Sequence, residues 1–221
     1  MARFYFSSIY GGVSTEAYAA LNLGDHVGDS PIHVSENRDV LARQLGLKSI
    51  SFMNQVHGSA VVQVDSTTKQ IPTCDAIVTT EKSLGLAVLT ADCIPLLIDG
   101  ENCIAAIHVG RRGLVSGVIT ESIAVLKNLG ATRFKAVLGP SICGKCYEVD
   151  LTMYDEISSQ LPSTSTSREV HSLDLPSGAI DELTKLGVAT KVHHICTMES
   201  PDYFSYRRSG IAGRMAGVIS L

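Results

Sequence analysis

The sequence predicts an α+β fold: a single domain over residues 1–221 with mixed β-sheets in a layered α/β/α arrangement and helices packed on the outside. The chain has 221 residues and no shift in composition that would divide it. Hydrophobic residues make up 45% of the chain, which is enough to bury a core. Short apolar runs come in clusters with occasional helical segments, and this pattern favours an α+β fold over a strict strand–helix alternation.

The first half of the chain combines several short strands with one strong helix. Ser30 suits the N-cap of that helix, Pro31 fits its first turn and Gly46 fits its end, so a helix is predicted over residues 31–45. The pair Asp99-Gly100 predicts a tight turn between two strands. Runs of branched and aromatic residues bounded by turn residues predict strands at residues 3–8, 50–53, 61–64, 75–79, 85–90, 95–98 and 103–108.

The second half of the chain is richer in helices. Apolar residues at helical spacing predict a helix over residues 114–128, and Asp150 is suited to cap another that reaches residue 161. A third helix has Pro176 near its start and ends around residue 187. The Ser/Thr-rich segment 162–167 predicts a mobile loop. Strands are predicted at residues 134–138, 192–196 and 216–220.

Composition excludes several classes of function. A net charge of −4 and a pI near 5.9 argue against a nucleic-acid-binding surface. No apolar run approaches the roughly 20 residues that span a bilayer, and the start of the chain does not resemble a signal peptide, so we expect a cytoplasmic protein. The six cysteines are then mostly reduced, which favours thiolate chemistry or metal ligation over a disulfide framework.

Polar side chains stand at the ends of the central strands, in residues 84–113. Cys93 follows one strand, His108 ends the next, and His57 ends an earlier apolar run. A side chain at a strand end beside a glycine turn is held by the sheet and still accessible, which suits chemistry. The spacing alone does not make a site, because a single histidine is more often structural and a single cysteine is more often a small buried apolar residue.

Motifs along nearly the whole chain resemble those of the bacterial laccase-domain family, also called the polyphenol oxidase or purine nucleoside phosphorylase family, which includes peptidoglycan editing factors. The central motifs are Gln55-Val56-His57-Gly58, Thr90-Ala91-Asp92-Cys93-Ile94-Pro95 and His108-Val109-Gly110-Arg111-Arg112-Gly113. Further matches in order are Gly11-Gly12-Val13-Ser14, Leu21-Asn22-Leu23-Gly24, Glu36-Asn37-Arg38, Gly139-Pro140-Ser141-Ile142, Tyr147-Glu148-Val149, Phe204-Ser205-Tyr206-Arg207-Arg208 and Gly213-Arg214.

The resemblance implies that His57, Cys93 and His108 bind one catalytic Zn²⁺ per chain. Two neutral imidazoles and one thiolate leave the fourth position open and give a site charge of about +1. A water bound there can have a pKa of about 7. Asp92 is the candidate for proton handling, although its carboxylate could instead bond to loop backbone. The substrate-binding candidates are Arg38, Gln55, Arg112 and Arg207.

The implied activity is that of a zinc-dependent purine nucleoside phosphorylase. Its substrates would be phosphate with adenosine, inosine or S-methyl-5'-thioadenosine, its products the free base and ribose or methylthioribose 1-phosphate, and adenosine deamination a side activity. One alternative is a metal-free cysteine hydrolase with Cys93 as nucleophile and His108 as base, which includes peptidoglycan precursor editing. Others are a copper polyphenol oxidase and a non-enzymatic binding module. Partners are expected to be small molecules, not nucleic acid or membranes, and the oligomeric state stays open.

One position departs from the family pattern. The family usually has Ala-Gly-Trp-Arg-Gly after the second histidine, whereas Val109 and Arg111 replace the Ala and the Trp here. Arg111 would exchange an aromatic wall for a cation beside the metal. We therefore leave open whether the usual substrate preference of the family is retained.

Cys143-Gly144-Lys145-Cys146 is a separate CxxC motif. As a redox pair it would need a thioredoxin-like βαβ setting, which the sequence lacks. As half of a structural zinc site it needs two more ligands, and only Cys196 or the pair His193-His194 are evident. The sequence favours plain structural cysteines.

Overall fold

Two β-sheets stack face to face, and helices cover their outer sides. The computed structural model describes residues 2–221, and Met1 lies outside the described residues. The strands are β1 (Arg3–Phe6), β2 (Ser49–Ser51), β3 (Val61–Gln63), β4 (Ala76–Thr79), β5 (Leu84–Thr90), β6 (Ile94–Asp99), β7 (Ile104–Val109), β8 (Lys135–Leu138), β9 (Ala189–Val192) and β10 (Met215–Ser220). The α-helices are α1 (Pro31–Leu45), α2 (Arg111–Val115), α3 (Val118–Asn128), α4 (Leu151–Gln160), α5 (Leu175–Lys185) and α6 (Tyr206–Ser209), with 3-10 turns at Glu16–Tyr18 and Pro162–Thr164.

Both sheets are mixed. The first has the strand order β1-β10-β5-β2, and only β2 runs parallel to its neighbour. The second has the order β3-β4-β7-β6-β8-β9, with parallel pairs at both edges and antiparallel pairs in the middle. The predicted α+β class with mixed sheets and external helices is confirmed, and the middle of the layered structure consists of two sheets.

The alternation of side chains along β5 explains the layering. Leu84, Leu86 and Val88 face the core between the sheets, where β4, β6, β7 and β10 also contribute. Ala87 and Leu89 point the opposite way and pack against α1. Successive strand residues face opposite sides, so a strand that is apolar throughout is buried on both faces. Helices α2 to α5 cover the outer face of the second sheet.

The helix predictions hold with one exception. Helix α1 ends at Gly46, whose φ of 64° is the left-handed C-cap expected there, and the Asp150 carboxylate accepts the Met153 N–H as the cap of α4. The single helix predicted over residues 114–128 is instead α2 followed by α3, because Gly117 lies between them with a φ of 79°. Within residues 2–221, no helix is both long and apolar enough to cross a bilayer.

Two further predictions were wrong. The strand predicted at residues 192–196 lies earlier, at β9, because the chain leaves the sheet after Val192 and only Cys196 makes an isolated bridge, to Ser141. The segment predicted as a mobile loop, 162–167, begins with a 3-10 turn in which Thr164 is fully buried and its hydroxyl donates to the Leu161 carbonyl at 2.8 Å. The Ser and Thr side chains there satisfy backbone groups locally.

Candidate metal centre and its pocket

The three side chains singled out by the sequence converge on one point. Cys93 lies in the three-residue passage 91–93 between β5 and β6, His108 lies in β7, and His57 lies in the loop between β2 and β3. One ligand atom of each lies within 4.8 Å of the other two. The two imidazole rings meet edge to face, with 4.7 Å between centroids and 82° between planes. Residues 36 and 15 positions apart in sequence therefore share one site in space.

Asp75, which was not among the predicted site residues, orients two of these ligands, His57 and His108. Its carboxylate is fully buried and accepts a hydrogen bond from His108 Nδ1 at 2.8 Å. This contact leaves Nε2 of His108 as the ring nitrogen that faces Cys93. Carboxylates in this position fix the tautomer and orientation of a metal-binding histidine. The sequence signal for this role was a single acidic residue directly before the apolar strand β4, because a charge that is buried there requires hydrogen-bond partners.

The same carboxylate holds the loop that carries His57. Its oxygens accept the three successive N–H groups of Val56, His57 and Gly58 at 3.2, 2.8 and 2.7 Å. Successive N–H groups that converge on one anion form a nest, which requires a left-handed residue. His57 is that residue, with a φ of 60°. Such a conformation costs about 1–3 kcal/mol in a non-glycine residue, and the hydrogen bonds to Asp75 offset this cost.

Gly110 allows the three ligands to approach one another. A Cβ atom at this position would lie 3.0 Å from Cδ2 of His57, 3.2 Å from Sγ of Cys93 and 3.7 Å from Cε1 of His108. The φ of Gly110 is −88°, which any residue can adopt, so the requirement for glycine here is steric.

The buried groups perturb one another's protonation. Burial raises the pKa of Cys93, but the charge and hydrogen bond of His108 and the hydrogen bond of His57 outweigh it and lower the pKa to about 6. Burial lowers the pKa of His108, whereas Cys93 and Asp75 raise it to about 9. Burial raises the pKa of Asp75, and hydrogen bonds from His108, Gly58 and His57 bring it below its ordinary value. Near neutral pH the metal-free site therefore holds a thiolate beside an imidazolium.

The ligands open into a pocket of about 400 Å³. Its walls combine aromatic and cationic side chains, including Tyr147, Tyr206, Arg207 and Arg214. A larger cavity of about 800 Å³ contains none of the three ligands. The loop 139–149 lies between them, since Ile142 lines the smaller pocket while its neighbours Ser141 and Cys143 line the larger one. We place the candidate site in the smaller pocket because the reactive groups are there.

Asp92 lines the pocket beside Cys93, with both carboxylate oxygens occupied. Oδ1 accepts the Thr197 hydroxyl and Oδ2 accepts the Arg207 N–H, each at 2.7 Å. Its carbonyl accepts the Ile142 N–H at 2.9 Å. The residue has a φ of 102°, a left-handed conformation held by these contacts. The structure thus gives Asp92 the role of joining three loops at the pocket.

Two of the predicted substrate-binding residues line this pocket, but their side chains already have protein partners. Gln55 accepts the Leu89 N–H at 2.8 Å and donates to the Leu89 carbonyl at 2.7 Å, so it extends the edge of β5. Arg207 donates to the Glu148 carbonyl at 2.8 Å and its guanidinium lies 5.2 Å from the Tyr147 ring centroid.

The other predicted substrate-binding residues, Arg38 and Arg112, do not line the pocket. Arg38 donates to the Leu23 carbonyl at 3.0 Å, pairs with Asp25 at 3.3 Å and lies over the Phe52 ring. Arg112 is exposed in α2, and Arg111, expected beside the metal, begins the same helix outside the pocket lining. The sequence motif continues from His108 into α2, and neither of its arginines lines the pocket.

Arg214 belongs to the Gly213-Arg214 motif, but it was not among the predicted substrate-binding residues, and it lines the pocket. Its NH1 donates to the carbonyls of Ala212 and Gly213 at 2.8 and 3.1 Å. Within residues 2–221, its other guanidinium nitrogens have no hydrogen-bond acceptor in the protein. Burial lowers the pKa of Arg214, and the nearby Cys93 and Asp92 act in the opposite direction. It therefore offers planar N–H donors to an anion in the pocket.

Comparison with known proteins gives concordant results. The family model described as multi-copper polyphenol oxidoreductase laccase matches residues 3–221. A Streptomyces griseus protein named purine nucleoside phosphorylase is 43% identical, with 100% of this chain and 94% of the relative covered. A Corynebacterium glutamicum protein of the same name is 39% identical, with 99% and 94% covered.

Solved structures show the same fold. The Neisseria meningitidis protein NMB0706 has a TM-score of 0.91 and 34% identity, with 100% of this chain and 94% of that chain covered. The protein YlmD from Geobacillus stearothermophilus has a TM-score of 0.89 and 28% identity, with 99% and 91% covered.

Proposed function

The chain belongs to the multi-copper polyphenol oxidoreductase laccase family, and from this membership and its three-ligand pocket we propose that it is a zinc-dependent purine nucleoside phosphorylase. It converts adenosine, inosine or S-methyl-5'-thioadenosine and phosphate into the free base and ribose or methylthioribose 1-phosphate. Adenosine deamination is a side activity. Relatives with that name cover the whole length of the chain at about two-fifths identity. The convergence of His57, Cys93 and His108 in one pocket carries the proposal.

The donor set fits zinc. Zinc prefers imidazole nitrogen and thiolate sulfur in tetrahedral geometry, and catalytic sites leave one position open. His57, Cys93 and His108 supply two imidazoles and one thiolate, and Asp75 holds His108 with Nε2 facing Cys93. The lowered pKa of Cys93 means that the ligand is already a thiolate at neutral pH. When bound, zinc supplies a Lewis acid that polarises a substrate oxygen.

The arginines and tyrosines of the pocket bind different parts of the two substrates. Phosphorolysis forms a bond between an oxygen of hydrogen phosphate and the anomeric carbon, breaks the bond from that carbon to the base, and transfers the proton that the phosphate loses to the departing base. The donors of Arg214 and the Arg207 guanidinium offset the charge of the phosphate. Tyr147 and Tyr206 provide aromatic surface for a purine. The pocket volume of about 400 Å³ lies in the range that suits small ligands.

Asp92 acts here as a positioning residue. Its carboxylate holds the N–H of Arg207 and the hydroxyl of Thr197, so it fixes the backbone of one proposed phosphate-binding residue next to Cys93. A residue that positions others affects the rate through geometry, since small displacements at a reacting centre are costly.

A metal-free cysteine hydrolase, including an enzyme that edits peptidoglycan precursors, is the second candidate. It is favoured by one observation: Asp75, His108 and Cys93 form a continuous chain in which a carboxylate orients an imidazole beside a thiolate. This reading gives no role to the imidazole of His57. A copper polyphenol oxidase of the multi-copper type needs more histidines than the three that line this pocket among the described residues.

Product analysis with adenosine tests the proposal. Incubation with phosphate should give adenine and ribose 1-phosphate, and omission of phosphate should abolish adenine formation. Inosine formed in either condition reports deamination. The metal content of protein purified without added metal should include zinc that is lost in Cys93→Ser. Zinc-free protein with full activity would instead support the cysteine hydrolase, and copper with phenol oxidation the polyphenol oxidase.

Arg214→Ala tests the phosphate site. We expect the KM for phosphate to rise about tenfold or more, because a charge-assisted contact of about 1.5–3 kcal/mol is lost. Arg133→Ala is the matched control, since its side chain is 84% exposed and forms an ion pair with Glu101 at the surface. An unchanged KM for phosphate in Arg214→Ala would exclude this role.

A further inference from the structure

A second cluster of metal-binding side chains lies outside the candidate active site. It consists of Cys143, Cys146, Cys196 and Glu199, whose ligand atoms all lie within 4.8 Å of one another. The two cysteines of the CxxC motif come from the loop after β8, and the other two residues come from the loop after β9. Cys143, Cys196 and Glu199 line the larger cavity, and none of the four residues lines the pocket of His57.

The local backbone presents the sulfurs to a common point. The N–H groups of Cys146 and Tyr147 both donate to the Cys143 carbonyl, at 3.0 and 3.1 Å, so the CxxC segment forms a tight turn. The Cys143 N–H lies 3.4 Å from Sγ of Cys196, an N–H···S contact across the two loops. Sγ of Cys146 lies 3.6 Å from Oε1 of Glu199. Ligand atoms of a tetrahedral zinc site with Zn–S bonds of about 2.3 Å are roughly 3.8 Å apart, and the 3.6 Å between Cys146 Sγ and Glu199 Oε1 is close to this value.

A bound cation would contact all four side chains of the cluster, whereas a disulfide would involve only two of them. A disulfide would join two sulfurs and leave the third thiol and the carboxylate facing the bond. The Cys146 thiol is placed as a donor to the Glu199 carboxylate, and a bound cation would replace that proton and be held by the sulfurs and the carboxylate together. Thiolate-rich tetrahedral sets select zinc over magnesium or calcium, which prefer oxygen ligands.

We propose that Cys143, Cys146, Cys196 and Glu199 form a second, structural metal site that binds Zn²⁺ and fastens the loop after β8 to the loop after β9. All four positions of the tetrahedron are filled by protein, as in structural zinc sites and unlike the three-ligand centre. This proposal stands whether or not the chain is a nucleoside phosphorylase, because it depends on ligand geometry alone.

The second site would act on the first through Asp92. The loop after β8 donates the Ile142 N–H to the Asp92 carbonyl at 2.9 Å, and the loop after β9 donates the Thr197 hydroxyl to its carboxylate at 2.7 Å. These two residues directly neighbour Cys143 and Cys196. A metal that joins the loops therefore fixes the wall of the pocket beside Cys93.

The zinc content of the purified protein tests the proposal directly. Protein purified under reducing conditions without chelator is compared with the Cys143→Ser/Cys146→Ser variant, and we expect a loss of one zinc per chain. Lys145→Ala is the matched control within the same loop and should retain the wild-type zinc content. Equal zinc content in the wild type and the double serine variant would overturn the proposal. So would an intact mass two hydrogens lighter with Cys143 cross-linked to Cys146 or Cys196.

Cobalt spectroscopy tests the second cluster with its cysteines intact, so the test does not depend on whether Cys143→Ser/Cys146→Ser folds. In Cys93→Ser the three-ligand centre has no thiolate, so thiolate-to-cobalt charge-transfer absorption after Co²⁺ addition reports the second cluster. We expect this absorption with tetrahedral cobalt bands, and we expect the bands to change in Cys93→Ser/Glu199→Gln. The zinc is first removed with a chelator under reducing conditions, and absence of charge-transfer absorption when Co²⁺ is added to this metal-free Cys93→Ser protein would overturn the proposal independently of any activity.

Discussion

Asp75→Asn tests whether one buried carboxylate builds the three-ligand centre. Oδ1 of Asp75 accepts from the His57 N–H and from His108 Nδ1, and Oδ2 accepts from the N–H groups of Val56 and Gly58. Asparagine keeps one oxygen and replaces the other with an NH₂ group, which cannot accept. Either orientation of the amide therefore leaves two buried donors facing a donor.

The size of the effect follows from those contacts. Each buried donor left unpaired costs about 1–3 kcal/mol, so we expect the free energy of unfolding to fall by about 2–6 kcal/mol. If the NH₂ group faces His108, the imidazole must accept at Nδ1 and carry its proton on Nε2, the nitrogen needed for the metal. Loss of such a partner weakens metal binding about 10–100-fold, which corresponds to about 1.4–2.7 kcal/mol.

The assay has two parts and a matched control. Chemical denaturation of the metal-free protein gives the unfolding free energy, and competition with a chromophoric chelator gives the zinc affinity. Asp99→Asn makes the same change at a buried aspartate at the far end of β6, where the carboxylate accepts the Glu101 N–H at 2.9 Å. Because the asparagine oxygen can still accept this one N–H, we expect Asp99→Asn to keep most of its stability and its zinc affinity at the three-ligand centre. Equal zinc affinity in Asp75→Asn and the wild type would refute the role of Asp75.

Three further outcomes can be checked. In metal-free protein the pKa of Cys93 is lowered to about 6, so its alkylation rate, followed by peptide mass, should rise with pH through about 6 and then level off; an inflection near the ordinary value of 9.0 would contradict this. Gly110→Ala should lower activity about 10–100-fold by displacing the ligands, whereas Gly117→Ala, with open space around it but a φ of 79°, should cost only about 1 kcal/mol of stability. Gln55→Ala should lower the free energy of unfolding by about 1–3 kcal/mol through the lost contacts to Leu89, and thermal denaturation measures it; an unchanged midpoint would argue against the structural role.

The elements and the ligand residues could be predicted from sequence because their signals are local. Short apolar runs between turn residues marked nearly every strand, and Ser30, Pro31 and Gly46 marked the ends of α1. Cys93 and His108 were recognisable as strand-end residues, and the resemblance to a family supplied the prediction that they bind one metal together. The stacking of two sheets was harder to predict from sequence. Strand β5 is apolar on both faces, so its pattern does not indicate which face packs against a helix and which against the other sheet.

The arginines and Asp75 were harder to interpret because their roles depend on long-range geometry. Arg38 follows a family motif, but its guanidinium binds Leu23 and Asp25 away from the pocket. Arg214 lies in the Gly213-Arg214 motif directly before β10, but the motif does not indicate that its side chain lines the pocket of Cys93. Asp75 looked like the first residue of a strand, and only its spatial meeting with His57 reveals its function.

The passage 91–93 makes the sulfur ligand sensitive to the spacing of the whole sandwich. Cys93 ends a three-residue connection from one sheet to the other, and so short a connection has no slack. A substitution that thickens or thins the layer between the sheets, at Leu86 or Leu97 for example, would pull on this connection. Such variants would displace Cys93 relative to His57 and His108 without contacting any of them, so packing inside the sandwich sets the geometry of the three ligands at its edge.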